Sequence, residues 1–282
     1  MLKRTLSGAV YVSVIVAFIL LRQYVDYRIF NILTFLFASI GTYEIARALN
    51  SHLLKGWRLV ISVYGALFMV NYAVIEYYFY AGYGAYFSLA LSLLMILVTL
   101  VYSLVTKVGF KKFAVNCLGF IYPALFLLCL AVCNDFDFNK GFIAIVLVFV
   151  ISPLTDTFAY LVGMTYSKIK KGNVKKLCPI LSPKKTVAGA IGGLLGGILG
   201  SVLVCLIFNK YVTVSNAYLI FALIGLVSSV LNQLGDLFES YIKRKVNLKD
   251  IGNLIPGHGG IMDRIDGTLF VLLPILLLTI LS

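Results

Sequence analysis

Charge is what this chain has least of. Charged side chains make up only 12% of its 282 residues, and just 11 are acidic, whereas a soluble domain carries about a quarter. No stretch has the mixed polar composition of a soluble domain, and no internal repeat stands out. The short segments of alternating polarity that mark a membrane β-barrel are absent. The five cysteines (Cys117, Cys129, Cys133, Cys178 and Cys205) lack metal-site spacing. Four of them fall in or at the ends of apolar runs and read as small packing residues. No small-residue cleavage site follows the first apolar run, where "RQYVDYR" stands instead. The expectation there is a retained membrane helix rather than a removed leader.

What the chain does have is grease: 61% of it is hydrophobic. Apolar runs of bilayer-crossing length recur at roughly 5–21, 29–49, 58–79, 83–104, 113–133, 141–163, 186–207, 213–239 and 265–282. The expected fold is therefore all-α, a polytopic integral membrane protein with about nine transmembrane helices. Nine spans put all but four of the 24 Lys and Arg on one side, the exceptions being Arg22, Arg28, Lys140 and Lys210. The basic side should be cytoplasmic, with the N-terminus inside. The net charge of +13 then belongs mainly to one face, as topology signal and attraction to anionic headgroups. Basic residues in short loops between spans do not suit nucleic acid.

Two regions differ in character. Residues 1–140 read as about five spans with short loops and few charges. Glu44 lies inside the second, and the aromatic run "NYAVIEYYFYAGYGAYF" reads as an interfacial belt. Residues 141–282 hold two long cytoplasmic connections, 164–185 and 240–264, and six acids: Asp156, Asp236, Glu239, Asp250, Asp263 and Asp266. In "GAIGGLLGGILG", glycines recur every four residues at 189, 193 and 197 and at 192, 196 and 200. That spacing lets helix backbones approach closely.

The acids converge by topology. Asp156 lies inside the sixth span after Pro153, which removes a backbone donor and should kink the helix, with Tyr160 one turn further on the same face. The eighth span is too long for the hydrocarbon core, so its inner end projects into water. There Asp236, Glu239, Ser240 and Lys243 form one polar stripe at i, i+3, i+4 and i+7. The ninth span opens with Asp263 and Asp266 in its first turn, where the helix dipole favours anions. Carboxylates gathered this way repel unless a cation binds between them, and hard oxygen ligands select Mg²⁺ or a similar ion. Lysines and arginines beside them in "SPKKT" (182–186) and "IKRK" (242–245), with Arg264, suit phosphate oxygens. Glycines 257, 259 and 260 allow close backbone approach to a ligand.

These residues form a known pattern. "SYIKRKVNLKDIGNLIPGHGGIMDRID", Ser240 to Asp266, closely resembles the signature of the phosphatidate cytidylyltransferases, or CDP-diacylglycerol synthases. "GDLFES", "DTFAY" and "SPKKT" look like further family blocks in the family's order. The resemblance covers the second half well, and the first half agrees only in being hydrophobic helices. It implies condensation of CTP with phosphatidate to CDP-diacylglycerol and pyrophosphate, dependent on Mg²⁺ and, in some members, a monovalent cation such as K⁺. It implies Asp236 and Asp263 as principal metal carboxylates, with Asp156 and Asp266 as support. Lys184, Lys185, Lys243, Arg244 and Arg264 would hold the nucleotide and lipid phosphates. Ser240 and His258 would orient phosphate oxygens, with Ser182, Tyr160, Lys249, Asp250, Gly257, Gly259 and Gly260 completing the site. The resemblance further implies a site on the cytoplasmic face of the cell membrane and a homodimer. One departure matters: Val187 and Ala188 replace the Trp and Glu that many relatives carry after the lysine motif.

Two rivals remain at this stage. A secondary transporter would use Asp156 and a broken sixth span as its ion site, and a related CTP-dependent enzyme would act on a polyprenol or an ether lipid. Cysteine labelling in sealed vesicles should place 164–185 and 240–264 on the same side of the bilayer. Labels on opposite sides would exclude a shared site.

Overall fold

A computed structural model of the chain describes residues 2–79, 81–212 and 214–281; Tyr80, part of the aromatic run, lies outside them. In chain order the helices are α1 (Leu2–Tyr24), α2 (Ile29–Ala48), α3 (Trp57–Val74), α4 (Gly84–Val105), α5 (Phe110–Ile121), α6 (Ala124–Phe136), α7 (Phe138–Ile169), α8 (Val187–Ile207), α9 (Ala217–Lys245) and α10 (Met262–Leu281). A π-turn, Ile75–Phe79, prolongs α3. The strands β1 (Lys176–Cys178) and β2 (Ser182–Thr186) form one small antiparallel hairpin. The protein is an all-α, polytopic membrane protein. Among the described residues, eight segments are long and apolar enough to cross a membrane, with α5 and α6 together forming one of them, Phe110–Phe136. Pro123, which has no amide hydrogen, falls between those two helices. The ninth expected span corresponds to α10, which has the length but opens with Asp263, Arg264 and Asp266.

The chain divides into two compact units: Met1–Val132 with Leu248–Arg264, and Cys133–Asn247 with Ile265–Ser282. In the first, aromatic rings fill the core. Phe120 meets Tyr64 edge-on at 5.0 Å and Trp57 at 6.0 Å, and the Tyr64 hydroxyl reaches Ser92 Oγ at 2.8 Å. The exposed apolar side chains of α4, such as Leu93, Leu97 and Val101, suit a lipid-facing surface.

In the second unit α8 is the central element, and its glycines serve two neighbours. A Cβ on Gly192 would lie 2.6 Å from Val162 Cβ, and one on Gly196 2.6 Å from Leu154 O, both on α7. On another face, a Cβ on Gly197 would lie 2.5 Å from Ser229 Cβ of α9. Both neighbours pack antiparallel to α8, so the C-terminal ends of α7 and α9 meet the N-terminal end of α8. The head of α10 joins them, because a Cβ on Gly235 would meet Asp266 O at 2.7 Å.

The structure refines two expectations. The sixth span does not stop near 163; α7 continues to Ile169, its last turns too polar to show in an apolar count. It also runs unbroken past Pro153, which removes the interrupted helix that the transporter reading needs. The connection read as loop 164–185 contains the hairpin, with Lys176 opposite Thr186 and Cys178 opposite Ser182. Lysine-rich strands carry little intrinsic signal and form because they pair.

Replacing Gly196 by Leu should lower the melting temperature in detergent, by an amount equivalent to about 1–3 kcal/mol for an overpacked contact. Gly109→Ala, with nothing within 4 Å of the new methyl, should leave it unchanged.

Candidate active site

Thr186 ends β2 in an extended conformation and caps α8, its side chain accepting the Gly189 N–H at 3.0 Å. That turn delivers the preceding lysines to a cleft of about 460 Å³ between α7, α8, α9 and the hairpin, whose lining includes Asp156, Tyr160, Lys184, Lys185, Gln233 and Asp236. Asp156, Asp236 and Lys185 are each engaged there. Asp156 Oδ1 accepts from Asn232 Nδ2 at 2.8 Å. Asp236 is ion-paired with Lys185 and accepts from Ser240 Oγ at 3.4 Å. One turn on, Glu239, fully buried, holds Lys243 Nζ at 2.9 Å. The predicted stripe on α9 is therefore present as two linked pairs. Asp266, half-buried on α10, accepts from the Gly267 N–H at 2.8 Å and stands within electrostatic reach of Asp236, Asp156 and Lys243.

The second group of predicted residues belongs to the segment 248–264. Its centre is the Asp263 carboxylate, 8% exposed. Asp263 Oδ2 accepts the N–H groups of Ile251 at 2.9 Å, Gly252 at 3.2 Å and Gly260 at 2.9 Å, and Oδ1 lies 3.1 Å from the same Ile251 nitrogen. The loop is thus wound around an acid. Gly257 and Gly259 take left-handed φ values of 78° and 90°, which a side chain would strain. His258 is held by α1, its Nδ1 2.8 Å from Ser7 Oγ. Ser7 Oγ also donates to Pro256 O at 2.9 Å. Arg244, Lys249, Asp250 and Arg264 are exposed, and Ser182 is half-buried at the start of β2.

Sequence reasoning noted Glu44 but gave it no role. Its carboxylate, 3% exposed, accepts the Met262 N–H at 3.0 Å. A Cβ on Gly252 or Gly260 would lie 2.0 or 2.3 Å from its Oε1. The available signal was an acid inside an apolar helix, which by itself marks a site.

A profile of the cytidylyltransferase family matches residues 2–281. This chain belongs to the cytidylyltransferase family. It is similar to the phosphatidate cytidylyltransferase of Bacillus subtilis (strain 168), 29% identical over 250 residues and 86% of each chain. It is also similar to the enzymes of that name from Rickettsia conorii, 43% identical over 139 residues, and Staphylococcus saprophyticus, 37% over 134 residues. Those two matches each take in 48% of this chain, with 57% of the Rickettsia and 48% of the Staphylococcus protein, so the chain spans about half the length of these relatives. Where many cytidylyltransferases carry Trp and Glu, Val187 and Ala188 are half-buried in the first turn of α8, and the Val187 N–H bonds Lys175 O at 3.1 Å.

Among the described residues, no three His, Cys, Asp or Glu side chains are gathered in ligating geometry. The donors that line the cleft still fit a hard divalent cation. Asp156 and Asp236 would offer it hard carboxylate oxygens of the kind Mg²⁺ takes.

Asp263→Asn replaces an anionic acceptor of several backbone donors. At about 2 kcal/mol for charge-assisted bonds, segment 250–261 should exchange its amide hydrogens roughly 30-fold faster. Exchange followed by mass spectrometry checks this, and α8 serves as the unchanged control.

Proposed function

We propose that this protein transfers the cytidylyl group of CTP to phosphatidate, giving CDP-diacylglycerol and pyrophosphate. One observation supports this most: a single cleft at the ends of membrane-length helices carries two carboxylates and two lysines. It has acids to hold a cation and ammonium groups to hold phosphates, and it lacks a histidine–nucleophile pair. The chemistry needs no strong base, because the attacking oxygen of phosphatidate is already ionised. It bonds to the α-phosphorus of CTP while the bond to the bridging oxygen breaks and pyrophosphate departs. Catalysis is then positioning and charge stabilisation.

The residues divide the work. Lys185, paired here with Asp236, can exchange that carboxylate for a substrate phosphate, and Lys184 lies beside it on the exposed strand. Asn232 holds Asp156 in place. Glu239 aligns Lys243, which stands within electrostatic reach of Asp266. Mg²⁺, held by Asp156 and Asp236 with Asp266 nearby, would neutralise phosphate oxygens when bound; K⁺ is the proposed monovalent companion. Asp263 lies one helical turn from Asp266 on α10. We assign it the fixing of the signature loop, because its oxygens are already taken by amides. Tyr160, 66% exposed, sits at the cleft edge, where a lipid headgroup would rise from the bilayer. The basic-residue bias supports a site on the cytoplasmic face of the cell membrane, and a homodimer is the proposed assembly.

Purified protein with labelled CTP, phosphatidate and Mg²⁺ should yield a labelled CDP-lipid, and chelation should abolish it. Asp236→Asn should lower turnover about 100-fold or more with the melting temperature retained. Full activity in that variant would remove the cleft from the mechanism, and turnover of a polyprenyl phosphate in preference would change the lipid assignment.

A further inference from the structure

The N-terminal helices have no part in the chemistry so far, yet one of them carries a buried acid that the mechanism does not use. Glu44 lies in an apolar stretch of α2, is 3% exposed, and among the described residues forms no salt bridge. A carboxylate in such a place is strongly destabilising unless hydrogen bonds hold it. The donor is the backbone of the signature loop, through the Met262 N–H at 3.0 Å at the head of α10, where the helix dipole adds to the attraction.

Steric evidence says the same. Gly260 is pressed so closely on Glu44 that a Cβ there would lie 2.3 Å from each carboxylate oxygen, and one on Gly252 2.0 Å from Oε1. The two glycines are small because an acid from another helix fills the place of their side chains. Arg47, one turn along α2, ties the same loop through its Nη2 to Ile251 O at 3.2 Å. Two carboxylates therefore organise the loop, Asp263 from inside and Glu44 from α2.

We propose that Glu44 is a positioning residue of the active site. From α2 it holds the loop 251–262 in the one conformation that presents His258 and the Lys249–Asp250 pair. In its activity arm the proposal rests on the transferase reading.

Glu44→Ala should lower kcat about 10- to 100-fold, the usual loss when a supporting partner is removed, with KM for CTP changed less than about two-fold. Glu44→Gln, which keeps an acceptor for the Met262 N–H, should recover most of that loss. Limited trypsin digestion should cut Glu44→Ala faster at Lys249, while the helical remainder stays resistant. Gly260→Ala tests the same contact from the loop and should resemble Glu44→Ala. The double variant should be little worse than either single one, because both remove one interaction. Wild-type kcat in Glu44→Ala or Gly260→Ala, additive losses in the double variant, or a kcat loss that only tracks loss of folded protein would overturn the proposal. Digestion needs no substrate, so it decides the loop's dependence on Glu44 even if the wild-type protein makes no CDP-lipid.

Discussion

An ionised carboxylate in apolar surroundings must be matched by donors or cations, and most of the chemistry-bearing architecture of this protein follows from that requirement. Burial without partners would be destabilising by several kcal/mol per ion. Five of the acids accordingly have partners of their own: Asn232 for Asp156, Lys185 for Asp236, Lys243 for Glu239, and backbone amides for Asp263 and Glu44. The partners differ in kind, and the difference sorts the roles. A lysine can leave its carboxylate for a phosphate. A backbone amide cannot leave without unwinding the loop, so Asp263 and Glu44 organise structure, whereas Asp156 and Asp236, held by side chains, remain open to ligands.

The second constraint is backbone proximity. Two glycine faces on α8 bring α7 and α9 together on either side of it, close enough that Cβ atoms at Gly192, Gly196 and Gly197 would collide with their neighbours. In lipid, where apolar side chains gain nothing by leaving solvent, such close van der Waals contact is what holds helices. The same packing sets Asp156 and Asp236 on one cleft, and the Thr186 cap on α8 sets the lysines there. Small residues therefore shape the site without touching a substrate.

The N-terminal helices also hold the signature segment. Ser7 of α1 and Glu44 and Arg47 of α2 reach the segment 251–262. The N-terminal half, which the family match also covers, thus supplies contacts to the segment that carries the signature.

Much was legible in order along the chain. Apolar length predicted the helices because a bilayer admits few alternatives, and the i, i+3, i+4 rule placed Asp236, Glu239, Ser240 and Lys243 on one stripe. The glycine spacing announced close helix contacts. Periodicity could not say which glycine faces which helix, that lysine-rich 176–186 pairs into a hairpin, or that α7 passes Pro153 unbroken. Nor could it show that the Asp263 oxygens are occupied by Ile251, Gly252 and Gly260, or that Glu44, more than 200 residues earlier, meets Met262. Local sequence determines which segments are helical and which residues share a face, because those depend on neighbours three or four positions away. The partner of each buried charge depends on helices far apart in the chain coming together, and only the tertiary structure decides that.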